Sequence, residues 1–528
     1  MSVLLFFLLF YVLLSASLYP LFAKAGREAW KALVPGYNFV VWCDLIGRPG
    51  WWASLLLIPL VNIFIFAGMA VDMVRSFGRY RLRDSALAVL YAPIAFFLIA
   101  RDSEQQYVGK TVELEKAYAK EMEAAAKNKN ERELKRLRAK NPYKKSPTRE
   151  WVEAIVFAVF AAAFIRMFLI EAYVIPTPSM EGSLLVGDFL FVSKAHYGIR
   201  TPMTVLQLPL IHNQVPLLGT ESYLKSPELK YNRLPKITDV ERNDPVVFNY
   251  PEGDSVYVTP SRTYSVYDIR RGANIPQLSS IPNNYPLKVR PIDKKDHYIK
   301  RCIGLPGDKL QIRDAQVYLN DEVVDNPKNL QLMYRVSSST TNFKRALPGL
   351  GVNLTEIARY QKTPGQGLYP LDQSQVEALR KLGDDVVVER FARPSGSLFP
   401  HDPVNFPNWT IDNYGPVAIP KAGESIVITP KNIATYRRII DVYEDNDLEI
   451  RNGRIFINGE QSTSYTFKQN YYWMMGDNRH NSEDSRVWGF VPEDHIVGKP
   501  LFIWFSTRNG SIGNGINWGR IFTSANKF

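Results

Sequence analysis

Apolar residues crowd the first 175 positions of the chain, broken by one charged stretch, and then give way to short alternating stretches. Met1 to Phe22 is nearly continuous Leu, Phe, Tyr and Val, with no charge before Lys24 and more apolar sequence after it, which predicts a retained span rather than a cleaved leader. Trp51 to Val71 holds about 20 apolar residues, enough to cross a bilayer core of ~30 Å. Ala86 to Ala100 is 15 residues, the length of a short span, a re-entrant piece or an interfacial helix. Glu150 to Ile170 is the last expected span, with Arg166 near its far end, where it can snorkel. Between them, Asp102 to Lys140 alternates Glu and Lys with Ala and Leu at helical spacing, predicting a solvated helix that ends at Asn141-Pro142.

Beyond Ile170 the period changes. Leu310 to Glu322 repeats as Leu448 to Glu460, both alternating apolar and polar residues, and Asn452-Gly453 and Asn458-Gly459 are hairpin signals. The Pro-, Asn- and Tyr-rich stretch between the repeats, residues 325–444, carries a helical patch near Gln373 to Leu382 and reads as a cap on the sheet, away from the chemistry. Pro202 to Gly219 is apolar for a loop and, with Trp504 and Trp518, is expected either on a membrane surface or in ordinary core strands. The expected organisation is an N-terminal transmembrane region over 1–101 with two or three spans, a basic linker over 102–149, an anchor over 150–172, and a mostly-β domain over 173–528.

The chain has 528 residues, too many for one ordinary domain, and a net charge of +12. Much of that charge lies in Lys127 to Arg149, which holds ten Lys and Arg against two Glu. Such a run beside an apolar helix orients it and touches anionic lipid, and no recognition motif accompanies it, so nucleic acid is not an expected partner. If the run stays inside, everything after Ile170 emerges on the far side. Four spans put Lys24, Arg27 and Lys31 inside but Arg75, Arg79, Arg81 and Arg83 outside; three spans reverse both. Two cysteines, Cys43 and Cys302, form no disulfide framework, and the six histidines show no ligand spacing, so neither metal nor cofactor is expected.

Two short stretches bear chemistry. Ile175-Pro176-Thr177-Pro178-Ser179-Met180 begins where the last apolar helix ends, and nine residues of chain keep the Ser179 hydroxyl within about 30 Å of that end. A serine hydroxyl needs a base. No Gly-x-Ser-x-Gly elbow occurs, and no histidine sits in a recognisable catalytic context. Lysine serves if burial keeps its amine neutral, and Tyr298-Ile299-Lys300-Arg301-Cys302-Ile303 is an apolar, strand-like run that ends at Gly304-Leu305-Pro306-Gly307-Asp308. A third stretch, Gly476-Asp477-Asn478-Arg479-His480-Asn481-Ser482-Glu483-Asp484-Ser485-Arg486, completes the set.

In order and character these stretches resemble the bacterial type I signal peptidases, over 150–322 and 444–506. The resemblance implies a multi-pass α-helical membrane region and a signal-peptidase-like domain of twisted antiparallel sheets. It implies Ser179 as nucleophile, Lys300 as general base, and an oxyanion hole made by the Ser179 N–H and the Thr177 hydroxyl. The family often has Ser-Gly where this chain has Thr177-Pro178, which keeps the hydroxyl. Ser482 matches the serine that orients the amine; Asp484 and Arg486 match a bracing pair, with Asp477 and Arg479 in the same scaffold. Tyr173, Ile175, Pro176, Met180, Leu184, Tyr298 and Ile299 match apolar pockets for small side chains, which implies cleavage after Ala-X-Ala. The implied setting is the bacterial cytoplasmic membrane, with exported precursors and lipid as partners near the secretion translocase. A silent binding protein on the same scaffold is the alternative, disfavoured by intact Ser179, Lys300 and Ser482. A self-cleaving repressor-type regulator would need a DNA-binding helix pair and no spans.

Overall fold

The computed structural model describes residues 3–527, apart from 58–60, 217, 261, 273–274, 355–356, 358–366 and 392–396. It divides into two compact units, residues 1–158 and 159–528.

The first unit is helical. Helices Val3–Lys24, Tyr37–Ile46, Val61–Ser76 and Leu82–Arg101 bury Leu18, Phe22, Trp42, Met73 and Phe96 against one another. Trp42 fixes the centre, its ring 5.2 Å from that of Phe96 and its Nε1–H donating to the Met69 carbonyl at 3.2 Å. Among the described residues, two helices are long and apolar enough to cross a membrane, Leu82–Arg101 and Pro147–Phe168. The segment expected to be short is thus a helix of 20 residues, because Arg83 and Asp84 ride in its first turn and the helix continues past Pro93 with a break at Tyr91. The expected span over Trp51 to Val71 is instead a turn of helix, Trp52–Leu55, and the helix Val61–Ser76, with 58–60 outside the described residues. The solvated stretch is two helices, Thr111–Lys127 and Glu131–Lys140, because Lys129 takes a positive φ of 51° and the Asn130 side chain caps the second by accepting from the Glu133 N–H.

The second unit is mostly β. Its main sheet is antiparallel, in the order Ile170–Val174, Asp188–Ser193, Ile496–Ser506, Pro245–Asn249, His297–Gly304, Tyr471–Met475, Val491–Pro492. Pro245–Asn249 is central and fully buried, and its alternation divides the core in two. Val247 joins Ile175, Met180, Leu184 and Leu190 on one face, while Val246 and Phe248 join Cys302, Met474 and Trp488 on the other. The two repeats fold alike, as three-stranded meanders, Lys309–Arg313, Gln316–Leu319, Glu322–Val323 and Leu448–Arg451, Arg454–Ile457, Glu460–Gln461. Both turn through two residues of positive φ, Asp314-Ala315 and Asn452-Gly453, the geometry that matches strand twist in a tight hairpin. The intervening stretch builds its own sheet, Leu368–Leu371, Leu332–Ser337 and Val387–Arg390, and a helix Gln373–Arg380 capped by Asp372. The apolar loop after Pro202 is not a core strand: Met203 is buried, but Val205, Leu206, Leu208, Leu210 and Leu218 are exposed. Leu217 lies outside the described residues.

Candidate functional site

Ser179 sits in a single 3-10 turn, Pro178–Met180, entered from extended Thr177. The turn follows Ile175, which is anchored by backbone bonds to Asp188 and Gly187 in the neighbouring strand region. Lys300 lies in the strand His297–Gly304, opposite Val246, on the same face as Tyr298 and Cys302. Its Nζ is 2.7 Å from Ser179 Oγ and 2.9 Å from the Ile299 carbonyl oxygen. Ser179 is 8% exposed and Lys300 5%, so the amine is out of water with only neutral hydrogen-bond partners. Burial brings it down to about 8, with Asp484, Glu483 and Asp477 pulling the other way.

The 476–486 loop supports the serine turn from behind. The Asn478 N–H donates to the Ser179 carbonyl at 3.1 Å, and its side-chain amide donates to the Pro178 carbonyl at 3.3 Å. Glycine is required at 476, where a Cβ would stand 2.5 Å from the Ser179 carbonyl oxygen and 2.3 Å from Ser482 Oγ. Asp484 accepts the Gly476 N–H at 3.1 Å and pairs with buried Arg486 at 2.7 Å; burial would raise its carboxyl, but Arg486 holds it low. Arg479 Nε donates to the Gly476 carbonyl at 3.1 Å. Asp477 pairs with Arg301, through bonds of 2.6 and 2.8 Å, and Arg301 also reaches the Asn243 carbonyl and Ser183 Oγ.

A cleft of about 980 Å³ opens over Ser179 and Lys300. Of the residues matched to apolar pockets, Tyr173, Ile175, Pro176, Met180, Tyr298 and Ile299 line it, and so does Thr177. Leu184 does not: it is wholly buried beneath, packed with Ile175 and Met180 in the core. The expected bond from Ser482 to the amine is not made either. Ser482 lines the cleft, but its hydroxyl turns to the Glu483 carbonyl at 3.4 Å, while Lys300 bonds to Ser179 and Ile299. Nor does the 325–444 stretch stay away, since Ser397, Leu398 and Ile411 form part of the wall. Arg262, paired across the cleft with Glu483 at 3.6 Å, is a further residue without a sequence signal; Arg301 had one, its place beside Lys300. Among the described residues no group of three or more His, Cys, Asp and Glu is arranged to hold a metal.

A model of the signal peptidases, peptidase S26, matches residues 148–357 and 442–505. A second family, of unknown function (DUF5684), matches residues 30–110. Among curated proteins, signal peptidase I of Haemophilus influenzae is 25% identical over 373 residues, 70% of this chain and 74% of that one. Signal peptidase I of Buchnera aphidicola subsp. Baizongia pistaciae is 24% identical over 70% of this chain and 81% of its own. That of Pseudomonas aeruginosa is 21% identical over 70% and 78%.

Proposed function

The chain belongs to the signal peptidase family, peptidase S26, and from that premise we propose that it removes signal peptides with Ser179 as nucleophile and neutral Lys300 as general base. The observation that carries this reading is the 2.7 Å separation of Lys300 Nζ and Ser179 Oγ inside a buried site. A neutral amine accepts the hydroxyl proton as Ser179 attacks the scissile carbonyl. The tetrahedral oxyanion is received by the Ser179 N–H and the Thr177 hydroxyl, and Thr177 is exposed on the cleft. The lysine, now charged, gives its proton to the departing amine, and water then releases the acyl group from Ser179 by the same route. Asp477, Arg479, Asp484 and Arg486 hold the scaffold, and Ser482 lines the same cleft as the amine.

Tyr173, Ile175, Pro176, Met180, Tyr298 and Ile299 give the cleft an apolar wall, suited to small side chains at the first and third positions before the cut. Discrimination there comes from clash and lost volume, so Gly, Ser or Cys in place of Ala is tolerated. The protein is a multi-pass enzyme of the bacterial cytoplasmic membrane. The basic run of residues 127–149 stays inside and the β unit lies outside, within reach of precursors leaving the secretion translocase.

Detergent-solubilised protein given a peptide with Ala-X-Ala before a defined bond tests this. The parent is expected to cut there, and Ser179→Ala and Lys300→Ala to lose at least about 10³-fold in kcat. Loss in Ser179→Ala alone would point to a different base, and no cleavage by a folded, lipid-supplied parent would favour a silent binding protein.

A further inference from the structure

The 325–444 insertion is hydrogen-bonded to the loop that supports Ser179, on both sides of the residue that does the supporting. Asn478 is that residue, through its two bonds to the Pro178 and Ser179 carbonyls. Gln331 brackets it: the Gln331 N–H donates to the Asp477 carbonyl at 2.9 Å, and the Arg479 N–H donates to the Gln331 carbonyl at 2.9 Å. Two residues further on, the Met333 N–H donates to His480 Nδ1 at 2.9 Å. The other ring nitrogen, Nε2, is 2.7 Å from Asp412 Oδ1. With Nδ1 accepting, the ring proton is on Nε2 and donates to the carboxylate, so one neutral imidazole joins both arms of the insertion to the loop. His480 is 1% exposed and Asp412 7%.

Two further contacts close the arrangement. The Asn329 carbonyl lies so near Gly182, just after the serine turn, that a Cβ there would be 2.2 Å from it. On the return arm, the Phe399 N–H donates to the Arg486 carbonyl at 2.9 Å. Asp412 and Phe399 belong to the stretch between residues 357 and 442 that the family model does not match, so this half of the arrangement is built from sequence peculiar to the insertion.

We propose that the insertion is a clasp on the nucleophile, with His480 and Asp412 as positioning residues that keep Asn478 against the Ser179 turn. The inference rests on Ser179 being the nucleophile, and it assigns the insertion a role in setting the serine rather than in shielding the sheet. Neither residue touches substrate. Losing the clasp therefore loosens the serine by a fraction of an ångström while the apolar wall at Tyr173 and Ile175 stays in place.

The test compares full-length, detergent-solubilised His480→Ala, Asp412→Ala, their double variant and Asp412→Asn with the parent, by peptide kinetics and by amide hydrogen exchange. Each alanine variant is expected to lose about tenfold or more in kcat with KM within about twofold, since small misplacements of reacting groups cost that much. The double variant is expected to lose no more than the worse single, because both remove one connection. Asp412→Asn keeps an oxygen that accepts from Nε2–H and is expected to retain most of the rate. Exchange at residues 177–180 and 477–480 should quicken in the alanine variants and stay unchanged in the strand His297–Gly304. Unchanged kcat and exchange would overturn the clasp. So would exchange raised throughout the sheet with activity falling in step with the folded fraction. Exchange reads the clasp whether or not the peptide is cut, so a parent that fails to cleave overturns the proposed activity and leaves this inference to the exchange result.

Discussion

Burial penalises a charge unless a partner compensates it, and Lys300 and Arg301 meet that penalty differently on one strand. Arg301 faces Asp477 through two short bonds, while Lys300 has only the Ser179 hydroxyl and the Ile299 carbonyl. The first arrangement holds the scaffold, and the second leaves the amine with neutral hydrogen-bond partners, as the proposed base requires. Breaking a buried pair on one side leaves a charge without compensation and costs about 3–5 kcal/mol. Asp477→Ala is therefore expected to destabilise the β unit by about that amount in urea unfolding, and Asp477→Ala with Arg301→Met by clearly less. A loss below about 1 kcal/mol in the single variant would contradict the pair's role in holding the loop.

At the scale of elements, what consecutive residues encode was legible and what distant residues encode was not. Thr177-Pro178-Ser179, the lysine run and the two Asn-Gly hairpins are local signals, and each stands where the pattern put it. Leu184 was matched to a pocket by family resemblance, but the turn over Gly182 carries it into the core. Ser482 was matched by its place in a motif, which does not say which way a hydroxyl turns. The insertion's bonds to the third motif join residues such as Met333 and His480, 147 positions apart, and no pattern announces them. The apolar loop after Pro202 was ambiguous for the same reason, and its exposed Val205, Leu206, Leu208 and Leu210 make the membrane-surface alternative the one to test. Leu208→Asp with Leu210→Asp is expected to weaken binding of the span-free residues 173–528 to anionic vesicles by about tenfold, at roughly 0.7 kcal/mol per exchanged leucine. Equal sedimentation of parent and variant with vesicles would remove the loop from the membrane contact.

Over the whole molecule, the chain divides into a helical unit and a mostly-β unit. The helical one matches a family of unknown function over 30–110. The β unit surrounds one lysine with enough structure to strip its water: the strand Pro245–Asn249 on one side, Tyr471–Met475 on the other, and the serine turn at the amine. That burial lowers the amine to about 8. The base works when it has lost its proton, so the rate must climb as pH rises through that value. The profile of kcat/KM against pH, on an Ala-X-Ala peptide and from pH 5 to 10, is the direct measurement. A single rise with its midpoint near 8, then a plateau, is the predicted result. A bell centred below about pH 6, or a rise complete by about pH 7, would contradict a lysine base and turn attention to the histidines.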